Sequence, residues 1–345
     1  MIAQETFTLE HVQDLQSGRK CDPSLLERTV FAFGLLEALA RVGLPFTFKG
    51  GTCLMLLLEH PQRLSTDIDI VVEPGTDIDK FIRASSGIFP FKASEEQVRV
   101  GKNNIVKRHF KFTYDGLRAG KETYILLDVL FESNHYAHRQ EVPIANELLL
   151  NAGEPLKVLV PDANCILGDK LTAFAPKTTG IPVNVGKDLE VAKQMYDICS
   201  LIGRMDDFSL VRETYFKVAE AELRYRGLEI APEDVLRDTI ATAICIATRG
   251  ATSSSEYQPL LKGIRSLRGY IFSETYTAEV AAVRAAEVIK LAYCILLSRP
   301  YVKADVAGVD LQRKPIHAEL QPLYALRRFS PESYAAILDV DEMLG

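Results

Sequence analysis

The chain has 345 residues, more than a single hydrophobic core usually supports, so two domains are expected. Hydrophobic residues make up 47% and charged residues 25%, a globular balance that excludes a disordered or fibrous class. A net charge of −6 argues against a chain-wide electrostatic grip on nucleic acid and leaves only a local basic groove for such a partner.

Met1 to Glu10 lacks the basic stretch and apolar run of a signal peptide, so a cytoplasmic protein is expected. The six cysteines (Cys21, Cys53, Cys165, Cys199, Cys245, Cys294) are scattered and read as reduced core residues. Pro23 to Val42 carries Leu26, Val30, Phe33, Leu36 and Leu39 at helical spacing, with Asp22 placed to cap it and Gly43 to close it. Pro45 to Phe48 then reads as a strand, Gly50-Gly51 as a turn and Thr52 to Glu59 as a helix.

Ile68 to Val72 is a β-branched strand ahead of the Pro74-Gly75 turn, and Asp77 to Ala84 a short helix. Lys107 to Tyr114 alternates, with Lys107, His109, Lys111 and Thr113 on one side and Arg108, Phe110, Phe112 and Tyr114 on the other, so it is a strand. Its lysines either hold a polyanion or guard an exposed sheet edge. Thr123 to Phe131 is nearly all apolar and expected to be central in its sheet, and Leu156 to Val160 is a further strand. His135 and His138 read as exposed loop residues, since no other His or Cys stands at ligand spacing.

After Pro161 helical spacing takes over, in Ala163 to Phe174, Leu189 to Leu201, Phe208 to Arg226, Pro232 to Thr248 and Ala278 to Leu297. Arg284, Glu287 and Lys290 interrupt the last of these, which is therefore a core helix, and no membrane is implied. The expected fold class is α/β (α+β): a mixed sheet with flanking helices over 1–160, then a largely helical domain over 161–345 that completes the active-site cleft.

The residues that point to chemistry are Lys49-Gly50-Gly51-Thr52, then Arg63 and Ser65, then Asp67-Ile68-Asp69 entering a strand. Side chains two apart on a strand face the same way, so Asp67 and Asp69 present paired carboxylates, which repel unless a cation or water lies between them. Asp128, inside an otherwise apolar strand, calls for a compensating charge or ligand. Three oxygen donors on neighbouring strands suit Mg²⁺ or Mn²⁺, with Asp67, Asp69 and Asp128 as metal ligands. A Gly-Gly-Thr turn opening a helix presents backbone N–H groups and the positive end of a helix dipole to a phosphate. Gly50, Gly51, Thr52 and Ser65 are therefore the candidate NTP-binding residues, and in-line displacement at phosphorus the candidate reaction.

This order of motifs resembles the signature of DNA polymerase β-like nucleotidyltransferases. More narrowly, Lys49-Gly50-Gly51-Thr52-Cys53-Leu54, then Arg63-Leu64-Ser65-Thr66-Asp67-Ile68-Asp69-Ile70, then Gly168-Asp169-Lys170-Leu171-Thr172-Ala173-Phe174 and Lys193-Gln194-Met195-Tyr196-Asp197-Ile198 resemble the AbiEii/AbiGii toxin family. The resemblance spans Thr47 to Leu201. It implies a nucleotidyltransferase using divalent metal ions and an NTP, with Lys170 contacting the nucleotide and Asp197 contributing to catalysis. It further implies an RNA acceptor such as a tRNA, and a cognate antitoxin protein as partner. The chain departs from the family pattern where Lys193-Gln194 replaces an Arg-Asp pair, and Asp188 is the candidate substitute for the missing acid. The alternatives are transfer to a small molecule or protein, or a catalytically silent nucleotide- or RNA-binding module.

Overall fold

Local signals in the chain set the first helices. Thr8 caps α1 (Leu9–Gln16) by accepting from the His11 amide, and Asp22 caps α2 (Pro23–Arg41), whose first residue is a proline preset for helix. Gly43, at φ +73°, ends α2 in the left-handed conformation that glycine adopts without cost. The computed structural model describes residues 1–19, 21–97, 106–118 and 121–345. It divides into two compact units: Met1–Asp162 with Gly269–Thr275, and Ala163–Arg268 with Tyr276–Gly345.

In the first unit the chain continues through β1 (Thr47–Lys49), α3 (Gly50–Leu57), β2 (Asp67–Val72), α4 (Asp79–Ser86), β3 (Ala93–Gln97), β4 (Lys107–Asp115), β5 (Glu122–Phe131), β6 (Arg139–Pro143) and β7 (Lys157–Pro161). Five strands form one mixed sheet in the order β1-β2-β5-β4-β3. The β2–β5 pair is parallel and the other three pairs are antiparallel. β6 and β7 make a separate antiparallel pair. As its composition suggests, β5 is the central strand.

The two faces of this sheet differ in chemistry. On one, Phe48, Ile68, Ile70, Phe110, Phe112, Tyr114, Ile125, Leu127 and Val129 are buried, and α2 packs against β2 and β5 there. Phe31 of α2 stacks on Tyr114 at 3.8 Å between ring centroids, a contact that registers helix on sheet. The opposite face alternates in step with Asp67, Asp69, Asp128, Lys107, His109 and Lys111, which are exposed or half-buried. The edge-guard reading of the β4 lysines is overturned, because β4 is hydrogen-bonded on both sides, to β3 and to β5.

The second unit is helical: α5 (Ala163–Ala173), α6 (Asp188–Ile202), α7 (Phe208–Arg226), α8 (Pro232–Ala247), α9 (Ser254–Leu267), α10 (Ala278–Leu296) and α11 (Pro331–Leu344). α10 packs against α6, α8, α9 and α11, and its residues from Ala281 to Ile295 are almost all buried, Lys290 included. A Cβ on Gly168 would lie 2.6 Å from the Val211 carbonyl, so glycine is what lets α5 approach α7 so closely. All six cysteines are buried, and none is joined in a disulfide. Among the described residues no helix is long and apolar enough to cross a membrane.

Several elements differ from expectation. α9 contains Pro259 and α11 follows a stretch without strong periodicity, and neither is apparent from the sequence. β3 and β6 are short, polar strands that exist because β4 and β7 offer them pairing partners.

Candidate active site

The β2–β5 register places the acids. Asp69 pairs directly with Asp128 across the parallel ladder, and Asp67 pairs with Leu126, two residues earlier on the same side. Adjacent strands lie about 4.8 Å apart, so three carboxylates from two neighbouring strands share one small area of the open face. Asp67 and Asp128 keep side-chain exposures of 43% and 37%, enough for water or an incoming ligand to reach them.

Each of these two acids has a nitrogen neighbour. Arg28 of α2 brings Nη2 to 3.7 Å from Asp67 Oδ1. His109 of β4, the direct partner of Asp128 in the antiparallel ladder, has Nδ1 at 2.7 Å from Asp128 Oδ1. Asp128 therefore lies not in an apolar interior, as its flanking residues suggest, but on the half-exposed side of its strand. Leu126 and Leu130 share that side, which is why the alternation of β5 is hidden in the sequence.

The glycine turn abuts the acids. Gly50 has φ +82°, so a side chain there would be strained, and a Cβ would also collide with the Asp69 carboxyl. A Cβ on Gly51 would lie 2.5 Å from Arg63 Nη2 and 2.8 Å from Ser65 Oγ. At the N-terminus of α3 a carboxylate, a guanidinium and a hydroxyl thus pack closely against the half-buried glycines. Arg63 is buried and donates from Nη1 to the Leu64 carbonyl at 2.9 Å. Its loop is tied down by the returning segment: Leu64 N donates to Tyr270 O at 2.7 Å, Arg63 bridges to Ile271, and Ser273 Oγ donates to Gln62 O.

Thr52 corrects one expectation. It is fully buried, and its hydroxyl donates to the Asp67 carbonyl at 2.6 Å, so it pins α3 to the start of β2 instead of facing a phosphate. Its contribution is to fix where the Asp67 backbone sits. His135 is also not the exposed loop residue expected, with a side-chain exposure of 23%.

Lys170 and Asp197 lie in the second unit, on α5 and α6. Lys170 Nζ is 2.8 Å from Asp197 Oδ2 and donates to Gln194 Oε1 at 2.9 Å, with side-chain exposures of 9% for the lysine and 3% for the aspartate. Gln194, which stands where the family pattern has an acid, accepts from the same ammonium. Asp188 is buried at the start of α6, where Oδ2 meets Lys262 Nζ at 3.1 Å and Oδ1 accepts from the Asn184 amide.

The donor set fits a hard divalent cation: carboxylate oxygens alone, on one face, two of them cross-strand partners. Among the described residues no three His, Cys, Asp or Glu side chains stand together as a formed ligand cluster. Asp128 is turned to His109.

The sequence singles out the acids and the glycine turn but not Arg28 and His109 as their neighbours. His109 was visible only as one of a charged row. Arg28 had no signal, since it sits on a helix whose apolar spacing accounts for it fully.

A mixed sheet presenting acids beside a glycine-opened helix is the arrangement of an enzyme that handles nucleotide phosphates. Residues 34–284, well over half the chain, match the family model described as nucleotidyl transferase AbiEii toxin, type IV toxin–antitoxin system. The chain belongs to that family and is a nucleotidyltransferase. No curated protein matches it. Among solved structures it is similar to JHP933 from Helicobacter pylori, at 12% identity over 79% of this chain and 93% of that one, with a TM-score of 0.42. It is also similar to an antigenic nucleotidyltransferase-like protein from Paracoccidioides brasiliensis, at 18% identity over 58% of this chain and 89% of that one, with a TM-score of 0.37.

Proposed function

We propose that the chain transfers a nucleoside monophosphate from an NTP to a hydroxyl of an RNA acceptor, tRNA foremost, as the toxin of a toxin–antitoxin pair. The observation that carries this is the direct Asp69–Asp128 pairing, with Asp67 on the same side and the Gly50-Gly51 turn against Asp69. Asp67, Asp69 and Asp128 are the residues that would hold Mg²⁺ or Mn²⁺. When bound, such ions supply charge neutralisation at the phosphates and lower the cost of in-line displacement.

The protein's own groups do the rest. Backbone N–H groups at Gly50 and Gly51 receive the phosphates, with the helix dipole of α3 adding favourable charge. The buried Arg63 beside Gly51 holds positive charge at the same place without needing to be ordered by the ligand. The acceptor oxygen attacks the α-phosphorus, the bond to the bridging oxygen breaks and pyrophosphate leaves. The hydroxyl proton passes to the Asp128 carboxylate, which His109 orients. Lys170, held in place by Asp197 and Gln194, remains the proposed nucleotide contact of the second unit, on the strength of the family resemblance. A cognate antitoxin and a cytoplasmic location follow from the toxin–antitoxin reading.

The test is to incubate pure protein with Mg²⁺, each labelled NTP in turn and total tRNA. Label on RNA is the expected result. Label on the protein itself or on an added small-molecule hydroxyl would replace the acceptor, and no label with any NTP would overturn the reading. Separately, Mn²⁺ binding followed by calorimetry should be lost in Asp69→Ala. Equal binding in the two proteins would remove these acids from the metal site.

A further inference from the structure

The open face of the sheet carries more than the acids. Tyr124 stands on β5 two residues before Leu126 and four before Asp128, so its ring projects on the same side as the carboxylates. It is 38% exposed, whereas Phe48, Phe110, Phe112 and Tyr114 of the same sheet are buried on the opposite side. Among the described sheet residues it is the one phenyl or phenol ring on this face.

Two cations flank it. Lys111 of β4 has Nζ 4.6 Å from the ring centroid, and Arg28 has Cζ 6.0 Å from it. The same Arg28 reaches Asp67, so ring, guanidinium and carboxylate form one contiguous surface. Lys107 continues the basic row along β4 on this side, where Glu95 of β3 faces Lys111 and the Asp115–Glu122 pair closes the end of the β4–β5 ladder as the acidic members.

Strand order then separates two flanks. The acids occupy the middle strands β2 and β5. The glycine turn borders them from the β1 side and the β4 lysines from the other, while Tyr124 lies along β5 itself, four residues before Asp128 and between Arg28 and Lys111. A transfer reaction needs two substrates against one set of acids. The glycine side suits the triphosphate, so the exposed ring with its two cations is left for the second substrate. An aromatic platform with adjacent positive charge is the chemistry that takes an unpaired base and its phosphate.

We propose that Tyr124, with Lys111 and Arg28, is the platform on which an unpaired base of the acceptor RNA stacks beside the carboxylates. This rests on the reading that the acceptor is RNA. The ring supplies the stacking surface, Lys111 and the β4 row meet the backbone phosphates, and Arg28 links the platform to Asp67. Affinity on this flank depends on both base and charge.

The experiment uses the full chain with a fluorescent single-stranded RNA and an abasic strand of equal length and charge, alongside labelling of tRNA. Tyr124→Ala should weaken binding of the RNA about tenfold and raise the KM for tRNA with little change in kcat or in the KM for NTP. Tyr124→Phe should behave as the unsubstituted protein, and the abasic strand should bind all three alike. Unchanged RNA affinity in Tyr124→Ala, in a protein that does label tRNA, overturns the platform alone. A loss that falls on NTP instead assigns the ring to the nucleotide and overturns the acceptor role. If the unsubstituted protein neither binds the strand nor labels tRNA, the RNA reading itself fails and the platform with it.

Discussion

The acids of the sheet and the acid of α6 are the same residue type in opposite circumstances. Asp67 and Asp128 sit on a half-exposed face, with side-chain exposures of 43% and 37% and with Arg28 and His109 as their neighbours. Asp197 is 3% exposed and held by Lys170 at 2.8 Å. The difference separates two uses of charge. Clustered carboxylates left open to water cost little to solvate and remain available for a cation, while a buried pair is tied to its partner and serves to fix a position.

Removing a charge from each region tests that contrast, and the largest effect is expected on the open face. Asp69→Ala should lower nucleotide transfer by about 10³-fold, corresponding to the several kcal/mol a metal ion contributes. Its stability should stay within about 0.5 kcal/mol of the parent, as for other half-exposed substitutions. A large fall in Tm together with the activity would mean that Asp69 supports the fold. Transfer and thermal unfolding on the same preparation decide the matter.

The reverse pattern is expected next, at the buried pair. Asp197→Ala leaves the Lys170 ammonium buried without its carboxylate and should cost about 3–5 kcal/mol in urea unfolding. Replacing both partners, as Lys170→Met with Asp197→Leu, should restore most of that stability, because no buried charge remains. If the double variant is as unstable as the single, the pair is not what Asp197 contributes.

Gly50→Ala lies between the two regimes. The backbone at φ +82° costs a side chain about 1–2 kcal/mol, and the added methyl must also displace the Asp69 carboxyl. Both Tm and Mn²⁺ affinity should fall, whereas a loss of stability with unchanged Mn²⁺ binding would separate the glycine turn from the acids.

The smallest effect belongs to the packed side of the sheet, where Arg108 bonds both Asp79 and Glu96. Its hydrogen bonds hold both carboxyls below their ordinary range. A lowered folded-state pKa gives stability that is complete above the ordinary carboxylate range and is lost as pH falls through the lowered values. Both acids are well exposed, so solvent screening limits the contribution to at most about 1 kcal/mol. Arg108→Ala should therefore flatten the stability profile below about pH 4 and change little at neutral pH, as denaturant titration at each pH will show.

How much was legible follows from which forces act locally. The cap at Asp22, the period of α2, the strands β2, β4 and β5 and the long helices α7, α8 and α10 were readable, because turn chemistry and side-chain period are written in consecutive residues. So was the sidedness of Asp67 and Asp69, since period two requires it. The sequence by itself thus determined which groups are candidates for the chemistry and which side of β2 its acids share. Tertiary structure alone decided that Asp69 faces Asp128, that β4 is interior to its sheet, that Thr52 turns to the Asp67 carbonyl, and that residues 269–275 return to hold the Arg63 loop. Each of these depends on pairing between segments distant in the chain, and the free energy of such pairing belongs to both partners at once, so neither segment records it alone.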